Sequence, residues 1–471
     1  MANKFIIIGI QNQFEMLMKK IKVLSINRAN FSDMEIFQLI EETNGIELID
    51  QSIRIFDDNM IIYNAGVSIF DLFTKTKKES KHKFFQLQEI PKMIQILEKY
   101  SRNRDLQLKI LRFLQHLIYN STENQDLFTE FQGIKKIIEI LKNNPSDQIL
   151  FRLFSIISFL DFSKFENYEQ IKETDAFVLL QKYLKQISKV EYSEQLIMAL
   201  RKLCSNSQIA LEFINLDIIN LVFSAINNFK KSPKIQQQCY SLLSKIIEQN
   251  LIDQMASKSI IKELINLMNH KSNGLFFPHN FFLLSLLSKN SKENQTTIRR
   301  LRGISRILDI INENKNNDQI LCYGIEVLSY LVKGNTENQE FLRNQNAIAS
   351  ITNLAKRFSH NLKLSLFFLG FIENMCKGNS FNQNLIKNSN AIDLIISIMK
   401  NFSLEKKIQI QALKTISRII DQNEQNMQYI NITGVIDFIE LIYEDFQNDS
   451  DFLESYQDFL ETIQKFSTQK N

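Results

Sequence analysis

Apolar side chains along this chain come in short bursts with helical spacing, set apart by polar turns. Leu111, Leu114, Leu117 and Ile118 stand at i, i+3, i+6 and i+7, one continuous stripe on an α-helix. The segments LKILRFLQHLIYN, SEQLIMALRKLCSN, CYGIEVLSYLVKGN and LFFLGFIENMCKGN share that pattern and predict long helices. Beyond such a segment a shorter apolar run opens on an isoleucine, as in GIKKIIEIL, GISRILDII and AIASITNLA. Between the two lies a polar stretch that carries Glu-Asn-Gln at Glu123 to Gln125, Glu293 to Gln295 and Glu337 to Gln339. Each unit therefore reads as a short helix near the Asn, a second helix opening near the Ile, and a longer third helix.

The unit repeats. Following the isoleucine gives Ile46, Ile90, Ile134, Phe177, Ile218, Ile260, Ile304, Ile348, Ile392 and Val435, with steps of 41 to 44 residues. A period in that range means a repeat architecture, in which each unit buries its apolar face only against its neighbours. Glycine marks the joints. Gly45, Gly133, Gly303 and Gly434 each precede the register residue, where a permissive backbone is expected, and Gly334 and Gly378 follow third helices. Asn335, Thr336 and Ser121 are placed to cap short helices.

The period, the three-helix unit, the Asn-containing turn and the A-L-x-x-L core of Ala199 to Leu203 together resemble armadillo repeats, over residues 31–460. HEAT units have two helices, and PUF and PPR units are shorter. The resemblance implies an all-α, right-handed α-solenoid superhelix of about ten three-helix repeats, whose third helices line a concave groove. Residues 1–30 fall outside the period, and Phe14, Leu17, Met18, Ile21 and Leu24 suggest a capping helix, or a helix that docks into a partner. Residues 461–471 read as a C-terminal tail.

In the import-receptor branch of that family, a ladder of Asn with interleaved Trp clamps extended peptides. The matching positions here are Leu72, His116, Phe159, Lys202, Lys245, Leu286, Tyr330, Asn374 and Arg418, and the chain has no Trp. Only Asn374 keeps the amide that bonds both N–H and C=O of a peptide. Import-receptor chemistry is disfavoured. What remains is a mixed groove of His116, Phe159, Lys202, Lys245, Tyr330, Asn374 and Arg418, with cations for carboxylates and rings for apolar anchors.

Composition narrows this further. Apolar residues are 44% and charged residues 23% of 471, enough for a core, while 11 Gly and 4 Pro supply little turn material for β-architecture. The 56 basic and 52 acidic residues nearly balance, which leaves no gross footprint for a nucleic-acid partner. Locally they do not balance. Lys289, Lys292, Arg299, Arg300, Arg302 and Arg306 form a basic patch against Glu293, and residues 437–470 are strongly acidic. Either a solvated face or a contact with an acidic protein or a nucleic acid accounts for the patch.

Catalytic chemistry is not legible. His82, His116, His270, His279 and His360 form no HExxH, and neither GxSxG nor a phosphate-binding loop occurs. Cys204, Cys239, Cys322 and Cys376 lie at least 35 residues apart in apolar helices, so no zinc or redox pair is expected and a reducing compartment fits. The apolar run Phe5 to Ile10 is far shorter than the roughly 20 residues of a membrane span, and it lacks a cleavage site for secretion. Lys4, Lys19, Lys20 and Lys22 against Glu15 leave room for an organellar transit peptide. The expectation is a non-enzymatic cytoplasmic scaffold or adaptor for protein partners, with no cofactor, metal or small-molecule substrate. The alternatives are a structural subunit of a cytoskeletal or ciliary assembly, and a regulator of a small GTPase or chaperone.

Overall fold

In the computed structural model, the described residues, 8–19, 38, 40–56, 59–76, 79–187 and 190–468, form helices joined by short turns, with no strand among them. They belong to two compact units, Met1–Gln249 and Asn250–Asn471.

The first unit opens with a helix over residues 8–19, helical residues 40–42, and helices Gly45–Ile55 and Met60–Thr76. Four triplets follow: Ser80–Gln86, Glu89–Lys99 and Arg104–Ile118; Thr122–Glu130, Gly133–Lys142 and Asp147–Phe159; Phe165–Lys172, Ala176–Lys185 and Val190–Leu203; Ser207–Asn215, Ile218–Asn228 and Pro233–Glu248. The second unit opens with Gln254–Met268, a 3-10 turn Lys271–Phe276 and Phe277–Ser288. Its four triplets are Lys292–Arg300, Gly303–Glu313 and Asp318–Val332; Thr336–Asn344, Ala347–Lys356 and Leu362–Cys376; Ser380–Asn388, Ala391–Asn401 and Lys406–Ile420; Glu424–Ile432, Val435–Phe446 and Ser450–Thr468. Each unit is thus a stack of helical repeats.

Successive third helices make the most extensive pairings within each unit. Their stripes are the core: Leu111, Leu114, Leu117 and Ile118 are buried, as are Leu328, Leu331 and Val332. Each such side chain contributes about 1.5–3 kcal/mol of burial, which a lone three-helix unit could not gather. In the N-terminal helix, Phe14 and Leu17 are buried, while Ile21 and Leu24 lie outside the described residues.

The Glu-Asn-Gln motif ties repeats together. Asn338 Nδ2 donates to the Leu331 carbonyl at 2.7 Å, seven residues back on the preceding third helix. Asn294, Asn382 and Asn426 make the same bond to Leu287, Met375 and Ile419. The neighbouring glutamine reaches forward: Gln295 Nε2 donates to the Tyr330 carbonyl at 2.9 Å, Gln339 to Asn374 at 2.7 Å and Gln383 to Arg418 at 2.8 Å. Asn379 Nδ2 donates to Gln339 Oε1 at 2.9 Å, so the amides link from one short helix to the next. Buried amides so satisfied fix the register of stacking, because leaving one unpaired costs about 1–3 kcal/mol.

The glycines work differently from expectation. The left-handed turn residue is Asn44, Gln132, Arg302, Asn346 or Asn390, one place before the glycine or alanine that opens the second helix. Gly133 and Gly303 are needed for room: an added Cβ would lie 2.5 Å from the Phe128 ring and 2.8 Å from Ile298. Gly434 alone in this series holds the left-handed turn itself, at φ 66°. Ile218 and Val435 consequently open their helices, one place earlier than Ile134 or Ile304, a correction to the register. Gly334 and Gly378 do adopt left-handed φ after their third helices, at 66° and 63°. Asn335 caps by accepting from Asn338 N, whereas Ser121 Oγ accepts from the Asn124 amide instead.

Residues 250–288 depart from the triplet pattern. Without Glu-Asn-Gln, and with Ser259 where most other repeats place glycine or alanine, the first two helices merge into Gln254–Met268, and Ile260 lies buried in its middle. The helix Ser450–Thr468 runs on past residue 460 into the stretch read as a tail. No single described helix is long and apolar enough to cross a membrane; the bent pair Ser207–Asn215 and Ile218–Asn228 passes by length and composition only.

Candidate functional site

Every residue of the predicted ladder lies on a third helix and is half-buried, while its flanking residues are mostly core. A helix projects one row of side chains at this register, so within each unit the positions form a single face. In the first unit these are Leu72, His116, Phe159, Lys202 and Lys245; in the second, Leu286, Tyr330, Asn374 and Arg418.

The first unit's face is cationic. His116 Nδ1 lies 2.8 Å from Oδ1 of the buried Asp71, whose other oxygen forms an ion pair with Arg112, 2.6 Å from its Nε. Arg152 Nη1 donates to Gln115 Oε1 at 2.6 Å, and burial, with Arg112 nearby, lowers its pKa from the ordinary guanidinium value. Lys109 Nζ donates to Asn64 Oδ1 at 2.9 Å, and Arg201 Nη1 to Ser241 Oγ at 3.2 Å. Lys202 is 3.9 Å from Asp161 and Lys245 3.7 Å from Glu248, loose surface pairs that hold neither ammonium firmly. Phe159 packs on Tyr119, with ring centroids 4.9 Å apart.

The second unit's face is aromatic. Tyr330 carries Lys289 Nζ at 5.9 Å from its ring centre, and Tyr323 carries Lys363 Nζ at 4.1 Å. Between them, one turn before Tyr330, Glu326 is only 9% exposed. Burial raises its pKa, against the pull of Lys363 and Lys289. Asn374 Nδ2 donates to Ser329 Oγ at 3.1 Å. Arg418 Nε is buried without a hydrogen-bond partner.

The basic stretch divides among several roles. Arg299 Nε donates to Asn338 Oδ1 at 2.8 Å and its guanidinium pairs with Glu337, so it joins two repeats. Arg306 Nε donates to the Met268 carbonyl at 3.0 Å. Lys289 leans onto the third-helix face, and Lys292, Arg300 and Arg302 are exposed on the short helix and the turn after it.

Sequence reasoning passed over Arg112, Arg152, Glu326, Lys363 and Gly370. They lie four, seven or eleven residues before the ladder positions, on the same side of the helix, so the spacing already contained them. The histidines do not converge: His82 pairs with Glu123 at 3.0 Å and His116 with Asp71. Among the described residues no group of three or more His, Cys, Asp and Glu could hold a metal ion. All four thiols are buried and free, and burial pushes Cys239 up to about 12 and Cys322 up to about 11.

A family model described as the spinocerebellar ataxia type 10 protein domain matches residues 280–357, in the second unit. No curated protein matches. An engineered protein of solved structure is similar at TM-score 0.72 and 11% identity, covering 88% of this chain and 98% of that one. A structure from work on a phosphorylation switch in the interaction between cadherin and beta-catenin is similar at TM-score 0.58 and 11% identity, covering 97% and 96%. The likeness is one of fold. It is the helical-repeat fold.

Proposed function

We propose that this chain is an armadillo-type, non-enzymatic scaffold that binds an extended acidic segment of a partner protein along its third-helix face. The observation that carries this reading is the cationic row of the first unit, Lys109, Arg112, Arg152, Arg201, Lys202 and Lys245, in which Asp71 is the buried anion. Guanidinium groups already oriented by Gln115 and Ser241 lose little freedom on meeting a carboxylate. Phe159 and Tyr330, each half-buried, serve as apolar anchors. Beta-catenin, of the similar fold, interacts with cadherin. The buried free thiols suit a cytoplasmic location, which belongs to the same proposal.

The test is the pair Lys202→Glu and Lys245→Glu, read by fluorescence anisotropy of a fluorescein-labelled polyglutamate peptide. Binding falls by about tenfold or more, ~1.4 kcal/mol, and weakens with added salt. Helicity and melting stay unchanged, since both lysines make only loose surface pairs. Undiminished binding by the double variant refutes the assignment of the face.

A further inference from the structure

Three glycines lie inside long third helices, and two have a steric reason to be there. A Cβ on Gly66 would meet Ile49 at 2.7 Å, and one on Gly324 would meet Ile311 at 2.7 Å. Gly370 has no such reason: a Cβ there would touch only Ser329 Oγ, at 3.5 Å, an ordinary contact. Its φ is not in the left-handed region either. A mid-helix glycine costs stability relative to alanine, and one that packing does not require is suited to close approach by another main chain.

What surrounds Gly370 points to the ligand. It stands four residues before Asn374, as Glu326 stands four before Tyr330, on the neighbouring third helix. Glu326 Oε2 is buried and has no hydrogen-bond partner, so this carboxyl calls for a donor. Phe367, one turn before Gly370, and Tyr323 share the ammonium of Lys363, at 5.6 and 4.1 Å from their ring centres. Lys289 stands over Tyr330. Lys289 and Lys363 are exposed beside Tyr330 and Tyr323, so an anion is favoured there, while the buried Glu326 oxygen demands an N–H. An acidic peptide supplies both, carboxylates from its side chains and donors from its backbone.

We propose that the second unit carries a close-approach subsite at Gly370, where the main chain of an acidic segment lies against the helix, donates an N–H to Glu326 and sets flanking carboxylates on Lys289 and Lys363. This rests on the reading of the third-helix face as the binding surface, and adds where the chain touches and by which atoms.

The experiment uses the full chain and fluorescein-labelled peptides: one alternating Glu and Ala, its backbone N-methylated counterpart, and one alternating Lys and Ala. The Glu–Ala peptide binds, and the other two bind about tenfold more weakly or worse, because one lacks the donors and the other the charge. Gly370→Leu fills the notch and weakens the Glu–Ala peptide by about tenfold, as does joint reversal of Lys289 and Lys363 to Glu. Gly370→Ala is the control for folding and melts at or above the parent temperature. Gly370→Leu binding within about twofold of the parent, full binding by the N-methylated peptide, or preference for Lys–Ala overturns the subsite. Loss on reversing Lys202 and Lys245 but none on Gly370→Leu removes the subsite and leaves the broader reading; no loss in either, or no binding to the parent chain, removes both.

Discussion

Glu89 occupies a place where six other second helices open on Gly45, Gly133, Ala176, Gly303, Ala347 or Ala391. Its side chain is fully buried and faces Asp50 of helix Gly45–Ile55, with Lys92 pairing to both. Lys92 Nζ lies 2.8 Å from Glu89 Oε1, donates to the Leu87 carbonyl at 2.7 Å and pairs with Asp50. Arg54 Nε sits 3.1 Å from both Asp50 oxygens. Burial, and then the neighbouring Asp50 carboxyl, raise the Glu89 pKa from 4.5 to about 8 against the pull of Lys92. Glu89 therefore holds its proton more tightly than a free carboxyl. Asp50 moves the other way: burial would raise it, but Glu89, Lys92 and Arg54 together lower it, so its contribution is lost only in acid.

For Glu89, the folded chain keeps a proton that the unfolded chain releases between pH 4.5 and about 8. Stability of this junction accordingly falls as pH rises through that window, by at most ~1.4 kcal/mol per pH unit, and levels off above it. Glu89→Gln keeps a donor for Asp50 and removes the ionisation. The variant should match the parent near the acid end of the window and exceed it progressively toward the alkaline end. Hydrogen exchange in helices Gly45–Ile55 and Glu89–Lys99, corrected for intrinsic rates, reads this directly. Parallel pH dependence of parent and variant would refute the reasoning, since the slope belongs to that one carboxyl.

Two other predictions concern the joints. Gln339→Ala removes the bond to the Asn374 carbonyl and the acceptor of Asn379, and should cost about 2–3 kcal/mol in urea unfolding; a loss under about 0.5 kcal/mol would show that the amide links are dispensable. Gly133→Ala drives a methyl to 2.5 Å from the Phe128 ring and should destabilise by about 1–3 kcal/mol, the opposite of Gly370→Ala, and equal melting of the two variants would contradict the steric account.

The helices and their period were legible because each third helix carries its core stripe in sequence, as Leu111 to Ile118 show, and the same stripe returns every repeat. The ladder positions were legible for the same reason, since a residue's side of a helix follows from counting. The merged helix Gln254–Met268 was misread because Ile260 fits an apolar register whether it opens a helix or sits within one. Gly133 was misread because a glycine required for room and one required for its φ look alike in a sequence.

By itself, then, the sequence determined the kind of element, the length of the unit and the row of side chains a partner could meet, all of which depend on spacing along one helix. Only tertiary structure decided which of those side chains are already engaged. Arg299 is bound to Asn338 and Glu337, about one repeat away along the chain, and Glu89 meets Asp50 across a helix joint. Gly66 is pressed by Ile49 while Gly370 is open. Such differences arise from atoms distant along the chain brought within a few ångströms, and local periodicity carries no record of them.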